Sequence, residues 1–159
     1  MAYLLDSDTF IQAKNGPYRF SVCPAYWDWL DREHAKRNIF SVVSVYDELM
    51  EREDDLSAWI ATRVSFFLPP DAKTHESLKL LSEWAIKNYT PEGYTEFFAS
   101  ADYVLIGHAH AHSFTVVSHE QPSNSKAKVK IPNACAAVGV ACMNPFELLQ
   151  GEHASFVLG

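Results

Sequence analysis

Four acidic side chains, Asp6, Glu48, Asp102 and Glu120, stand where their type and spacing allow chemistry. Asp6 follows directly on the apolar run Tyr3-Leu4-Leu5, and Glu120 follows Phe114-Thr115-Val116-Val117 after only Ser118 and His119. Asp102 opens a helix-like stretch that leads into that second run, and Glu48 lies just over one turn into a helix behind Ile39-Phe40-Ser41-Val42-Val43. Carboxylates gathered without counterions repel one another and climb in pKa, so such a cluster calls for a hard divalent cation with oxygen ligands, Mg²⁺ or Mn²⁺. A cation of that kind lowers the pKa of bound water and neutralises charge on a phosphate, which points to phosphodiester hydrolysis. Each acid taken singly has a plainer reading. Asp6 and Asp102 also suit helix caps, and Glu48 and Glu120 suit solvated surface positions.

For the four acids to meet, strands and helices must alternate, and the sequence reads that way. The first strand stops at Asp6-Ser7-Asp8-Thr9, a cluster of capping residues ahead of a helix carrying Phe10, Ile11 and Ala13. An amphipathic helix follows over 24–38, with Tyr26, Trp27 and Leu30 on one face, before the second strand at 39–43 and a helix from Ser44. Helices are predicted over 56–67 and 74–89, separated by Pro69-Pro70, then over 95–99 and 102–112. A strand at 114–117, a polar loop over 119–126, an edge strand at 128–131 and short helices at 133–138 and 146–149 complete the chain. Parallel strands need crossover helices and are buried on both faces, so the expected architecture is a single-domain, three-layer α/β/α fold with a central, mostly parallel sheet. In such folds ligands bind outside the carboxyl ends of the strands, where Asp6 and Glu120 fall.

Composition narrows the classes. The chain has 159 residues, 48% hydrophobic and 21% charged, which suits one globular domain with a substantial core. Thirteen Lys and Arg against 20 Asp and Glu give a net charge of −7, so the chain as a whole repels polyanions, and any nucleic acid must be held locally. Cys23, Cys135 and Cys142 form no CxxC pair and no even set, which argues against a disulfide framework or a zinc ribbon. The first residues carry neither a basic nor a long apolar segment, and no apolar run is long enough for a membrane helix, so a cytoplasmic protein without membrane association is expected.

Read in order, Tyr3-Leu-Leu-Asp6-Ser-Asp-Thr-Phe-Ile11, Val43-Ser-Val-Tyr-Asp-Glu48-Leu, Ala101-Asp102-Tyr-Val-Leu-Ile-Gly-His-Ala109 and Thr115-Val-Val-Ser-His-Glu120 resemble the motif series of PIN domains. Those are metal-dependent ribonucleases, many of them toxins of bacterial toxin–antitoxin pairs. The resemblance covers nearly the whole chain, and Lys128-Val-Lys-Ile-Pro-Asn133-Ala-Cys looks like a little-characterised branch of stand-alone PIN-like proteins. It implies that Asp6, Glu48, Asp102 and Glu120 hold Mg²⁺ or Mn²⁺ and carry catalysis on RNA, with Ser7 and Ser118 orienting water or ligands. It also implies a homodimer and an antitoxin partner. Glu120 departs from the Asp usual near the fourth position, a longer acid able to reach metal through water.

Other features offer other readings. Lys126, Lys128 and Lys130 alternate, so an extended backbone would aim them to one side as phosphate contacts, joined by Lys14 and Arg19; a solvated strand edge explains them equally. Tyr18, Tyr94 and Trp27 are candidates for stacking on bases. His108 and His112 share a helix face at the spacing of zinc-binding HExxH helices, but Ala109 stands where the general base would be, so packing histidines are the expectation. Asp6-Ser-Asp8-Thr-Phe nearly matches the opening of haloacid-dehalogenase-like phosphatases, whose later motifs occur in the wrong order here. The imperfect fourth acid leaves one further alternative, a PIN-like module that binds RNA or a protein without cutting.

Overall fold

The structure is a computed structural model in which residues 2–158 are described. The chain runs β1 (Tyr3–Leu5), α1 (Ser7–Asn15), α2 (Pro24–Ala35), β2 (Ile39–Val42), α3 (Val43–Leu49), α4 (Asp55–Ala61), β3 (Phe67–Leu68), α5 (Ala72–Asn88), α6 (Pro91–Ala99), α7 (Ala101–His112), β4 (Thr115–Val117), α8 (Ile131–Val138), β5 (Cys142–Met143) and α9 (Pro145–Gly151). The strands form one sheet in the order β3-β2-β1-β4-β5, every neighbouring pair parallel. Leu4 sits opposite both Phe40 and Val116 in register. Every residue of β1, β2 and β4 is buried, as a sheet covered by helices on both faces requires. Connections lead outward in both directions from β1, so β1 and β4 flank the switch point where the crevice of such a sheet opens.

Local chemistry sets most boundaries. Asp54, Asp71 and Asn144 each form reciprocal caps with the residue three places on, and Thr90 caps α6 with Pro91 in its first turn. The core centres on Leu4, Leu5, Phe10, Leu30, Ile39, Phe66, Leu105 and Ile106, all fully buried. The longest helix contact is α5 on α7, made close by Gly107, where a Cβ would come within 2.5 Å of Leu78 Cδ2.

The structure corrects several expectations. No strand forms at 128–131: Ile131 already opens α8, Lys128 lines a crevice with Asp102 and Lys126 lies over Tyr89, so the lysines do not line one strand edge. The segment expected as one helix over 56–67 is α4, a 3₁₀ turn at Val64–Phe66 and β3, because capping at Asp54 fixes the start and Phe66 and Phe67 turn into the core. β5 was not expected, since its two residues carry no strand pattern of their own and are recruited by pairing with β4. Helices also reach further than their patterns: α6 starts at Pro91 rather than residue 95, and α8 at Ile131 rather than residue 133.

Candidate functional site

Asp6 leaves β1 at the carboxyl end of the sheet and caps α1. Its side chain is 2% exposed yet fully served by donors: Oδ1 accepts from the Thr9 backbone N–H at 2.8 Å and the Thr9 hydroxyl at 2.6 Å, and Oδ2 accepts from the Ser118 hydroxyl at 2.6 Å. Burial still outweighs those hydrogen bonds and pushes the carboxyl up to about 6. Ser118, just past β4, receives the Glu120 backbone N–H at 3.1 Å while giving its own proton to Asp6, so the two neighbouring strand ends are tied through one hydroxyl.

Asp102 stands in the first turn of α7, across the switch point. Burial is the largest cause of its rise to about 7, followed by the charges of Glu120, Asp6 and Glu48; Lys128 pulls the other way. Asp102 thus feels the charge of each of the other three acids. Glu48 reaches in from the exposed side of α3; partial desolvation raises its carboxyl, against the Ser7 hydroxyl and the Ala101 backbone N–H. Glu120 Oε2 accepts the Ile131 backbone N–H at 3.2 Å and so also caps α8. Among the described residues no three His, Cys, Asp or Glu side chains already close on a metal ion.

The donor set nevertheless fits a hard cation in kind: carboxylates, all oxygen, with Asp6 raised by burial and Asp102 by burial and the charges of the other three acids. The Ser7 hydroxyl adds to this. It is buried beside Glu48, and its Oγ forms no well-aligned hydrogen bond, alone in this among buried side-chain polar atoms of the described residues. A buried hydroxyl without a well-aligned partner is under-satisfied, and a bound cation's water or a substrate oxygen would complete it.

The remaining candidates separate. Lys128 lines a crevice with Ser100, Asp102 and Glu120, whereas Lys126 lies over the Tyr89 ring at 5.8 Å. Lys14 pairs with Asp54 at 2.8 Å, and Arg19 Nε donates to the Asn15 carbonyl. Trp27 is buried under Phe20 and is no surface platform; Tyr94 packs on Phe98. The histidines of α7 lace it to α5: Thr74 and His108 Nδ1 lie 2.9 Å apart, Ser77 and His110 Nδ1 2.7 Å, and His112 Nε2 meets Asp71 at 2.7 Å. Burial and the neighbouring His112 lower the His108 pKa, as for a packing histidine. Asp8, the second acid of the phosphatase-like reading, takes the Gln12 amide as its partner. Thr9 was missed as a site residue, although an Asp three places before a Thr at a helix start is a readable capping signal.

A parallel five-stranded sheet between helical layers, with acids at its switch point, is the PIN-like α/β/α architecture. The crystal structure of FitAcB from Neisseria gonorrhoeae is similar, with a TM-score of 0.55 at 18% identity over 91% of this chain and 98% of that one. The structure of FitAB bound to an IR36 DNA fragment is similar too, with a TM-score of 0.54 at 17% identity over 91% and 95% of the two chains. The chain belongs to the DUF4411 family, a domain of unknown function, whose model matches residues 3–156. No curated protein matches the sequence.

Proposed function

We propose that this protein is a Mg²⁺- or Mn²⁺-dependent endoribonuclease that hydrolyses RNA phosphodiester bonds. The observation that carries the reading is Asp102, raised to about 7 by burial and by the charges of Asp6, Glu48 and Glu120 together. Acids kept this close at neutral pH are electrostatically unfavourable unless a cation or a proton joins them. Asp6, Glu48 and Asp102 would hold the cation, with Glu120 at longer reach. Bound there, it would make water a better nucleophile near neutral pH and offset charge on the scissile phosphate.

The chain's own residues do the positioning. Thr9 and Ser118 fix both Asp6 oxygens from opposite sides, so the carboxylate keeps one orientation. Ser7, beside Glu48 and without a well-aligned hydrogen bond, would orient water or substrate. Lys128, whose charge acts on Asp102 and which shares its crevice, would meet a phosphate oxygen; Lys126 would follow the RNA backbone further out. A toxin role, an antitoxin partner and a homodimer belong to the same proposal and rest on the PIN resemblance. Among the described residues no helix is long and apolar enough to cross a membrane.

A second reading has its own observation. Glu120 spends an oxygen on capping α8, and a fourth ligand so engaged suits a module that binds RNA or a protein without cutting. One experiment separates the two: purified protein with a mixed single-stranded RNA pool in Mn²⁺, in EDTA, and as the Asp6→Asn, Asp102→Asn double variant. Cutting that needs Mn²⁺ and is lost in the variant supports the nuclease. Folded wild type that binds the pool and leaves it intact supports the module instead.

A further inference from the structure

Next to the acids lies a mostly apolar cavity that the four carboxylates do not use, bordered by α1, the loop behind it, the segment after β4 and the start of α9. Its walls include Tyr18, His119 and Phe146, with Gln12 at the edge. It adjoins the acidic site through two residues. Thr9 lines the cavity and donates to Asp6, and His119 stands between Ser118 and Glu120 in the chain.

One wall is rigid. Tyr18 stacks on Tyr26 with ring centres 4.4 Å apart and planes 7° from parallel, Phe156 meets it edge-on at 5.9 Å, and the Trp27 indole N–H holds its carbonyl at 2.7 Å. The opposing ring is free to be covered: Phe146 is 55% exposed, with the His119 ring edge-on at 5.7 Å. A large exposed aromatic flanking a cavity has unsatisfied apolar area, and planar rings favour a planar occupant.

We infer that this cavity receives one unpaired nucleobase of the RNA, stacked on Phe146 beside the phosphate held at the acids. The inference rests on the nuclease reading above. Charge calls for stacking as an added source of affinity here: the chain carries −7 overall and Lys14 is already paired with Asp54, so Lys128 and Lys126 work against an excess of acid. A protein that gains little from counterion release draws more of its affinity for single-stranded RNA from base contacts. Gln12 also lines the cavity, and with its amide nitrogen engaged by Asp8 its amide oxygen is left as an acceptor for a base edge.

The test is an abasic scan. A short fluorescein-labelled single-stranded RNA, and a set in which each position in turn lacks its base, is titrated into wild type, Phe146→Ala and Phe146→Tyr in EDTA and followed by anisotropy. The same strands give KM and kcat for cleavage in Mn²⁺. The inference expects one abasic position to weaken binding, or raise KM, by roughly 5- to 150-fold in wild type and Phe146→Tyr, and to have no further effect in Phe146→Ala. Because Phe146 lies outside the core, the Ala variant keeps the fold, and circular dichroism verifies it. Cleavage that ignores the loss of every base, or that is equally base-sensitive in Phe146→Ala, overturns the slot and leaves the nuclease standing. Folded wild type that neither binds nor cuts overturns both.

Discussion

Replacing Asp102 by Asn should stabilise the cation-free protein while removing its response to Mn²⁺. The Asp102 carboxyl rises from an ordinary 3.8 to about 7 in the fold. Each unit corresponds to about 1.4 kcal/mol, so keeping the group ionised at pH 8 costs on the order of 4 kcal/mol. The direction follows from counting protons. Between about pH 4 and pH 7 the native state retains a proton that the unfolded chain has released, so stability falls as pH rises through that window and stays low above it. Asn removes this penalty, but its amide must find partners at about 1–2 kcal/mol, and the favourable interaction of an acid with the first turn of α7 is lost at about 0.3–1 kcal/mol. A net gain of about 1–3 kcal/mol remains, or roughly 2–10 °C in melting temperature for a domain of this length. Calorimetry in EDTA at pH 8 and pH 5 should find the variant ahead at pH 8 and level with wild type at pH 5. In Mn²⁺ at a hundredfold its Kd, wild type should gain about 2.7 kcal/mol and the variant far less. A variant that melts below wild type in EDTA at pH 8, or a difference independent of pH, would refute the claim that the acids strain one another.

Two further outcomes follow from the same geometry. Ser118→Ala removes the donor 2.6 Å from Asp6 Oδ2, so the Asp6 carboxyl climbs further above about 6 and the protein loses about 1–3 kcal/mol in denaturant melts at pH 8; the loss shrinks at pH 5, where Asp6 is protonated and needs that donor less. Gly107→Val drives a branched side chain into Leu78, already 2.5 Å from where a Cβ would stand, and overpacking of the α5–α7 contact should lower stability by about 1–3 kcal/mol with Mn²⁺ affinity unchanged; an affinity change would mean that the helix pair and the acids are coupled.

Much of this protein was legible from local sequence. β1 ends at Asp6 because an apolar run meets capping residues, and α5 begins at Ala72, two residues before the predicted start, because the Asp71 carboxylate closes on Thr74; such signals act within a turn and survive in any fold. The apolar runs at 3–5, 39–42 and 115–117 required burial on both faces, and that alone called for a parallel sheet with the acids at one edge. What sequence could not decide is whatever depends on partners far along the chain. The Ser118–Asp6 bond joins residues 112 positions apart, β5 is a strand only because β4 lies beside it, and Lys128 and Lys126 were sent to different neighbours, Asp102 and Tyr89. The histidines of α7 were expected to pack, but only α5 could supply Thr74, Ser77 and Asp71 as their partners. Residue type fixes what a side chain can do at short range, whereas its neighbours, its dielectric surroundings and hence its proton affinity are set by packing: Asp6 and Asp102 are ordinary acids in the sequence and become strained ones only in the closed sheet.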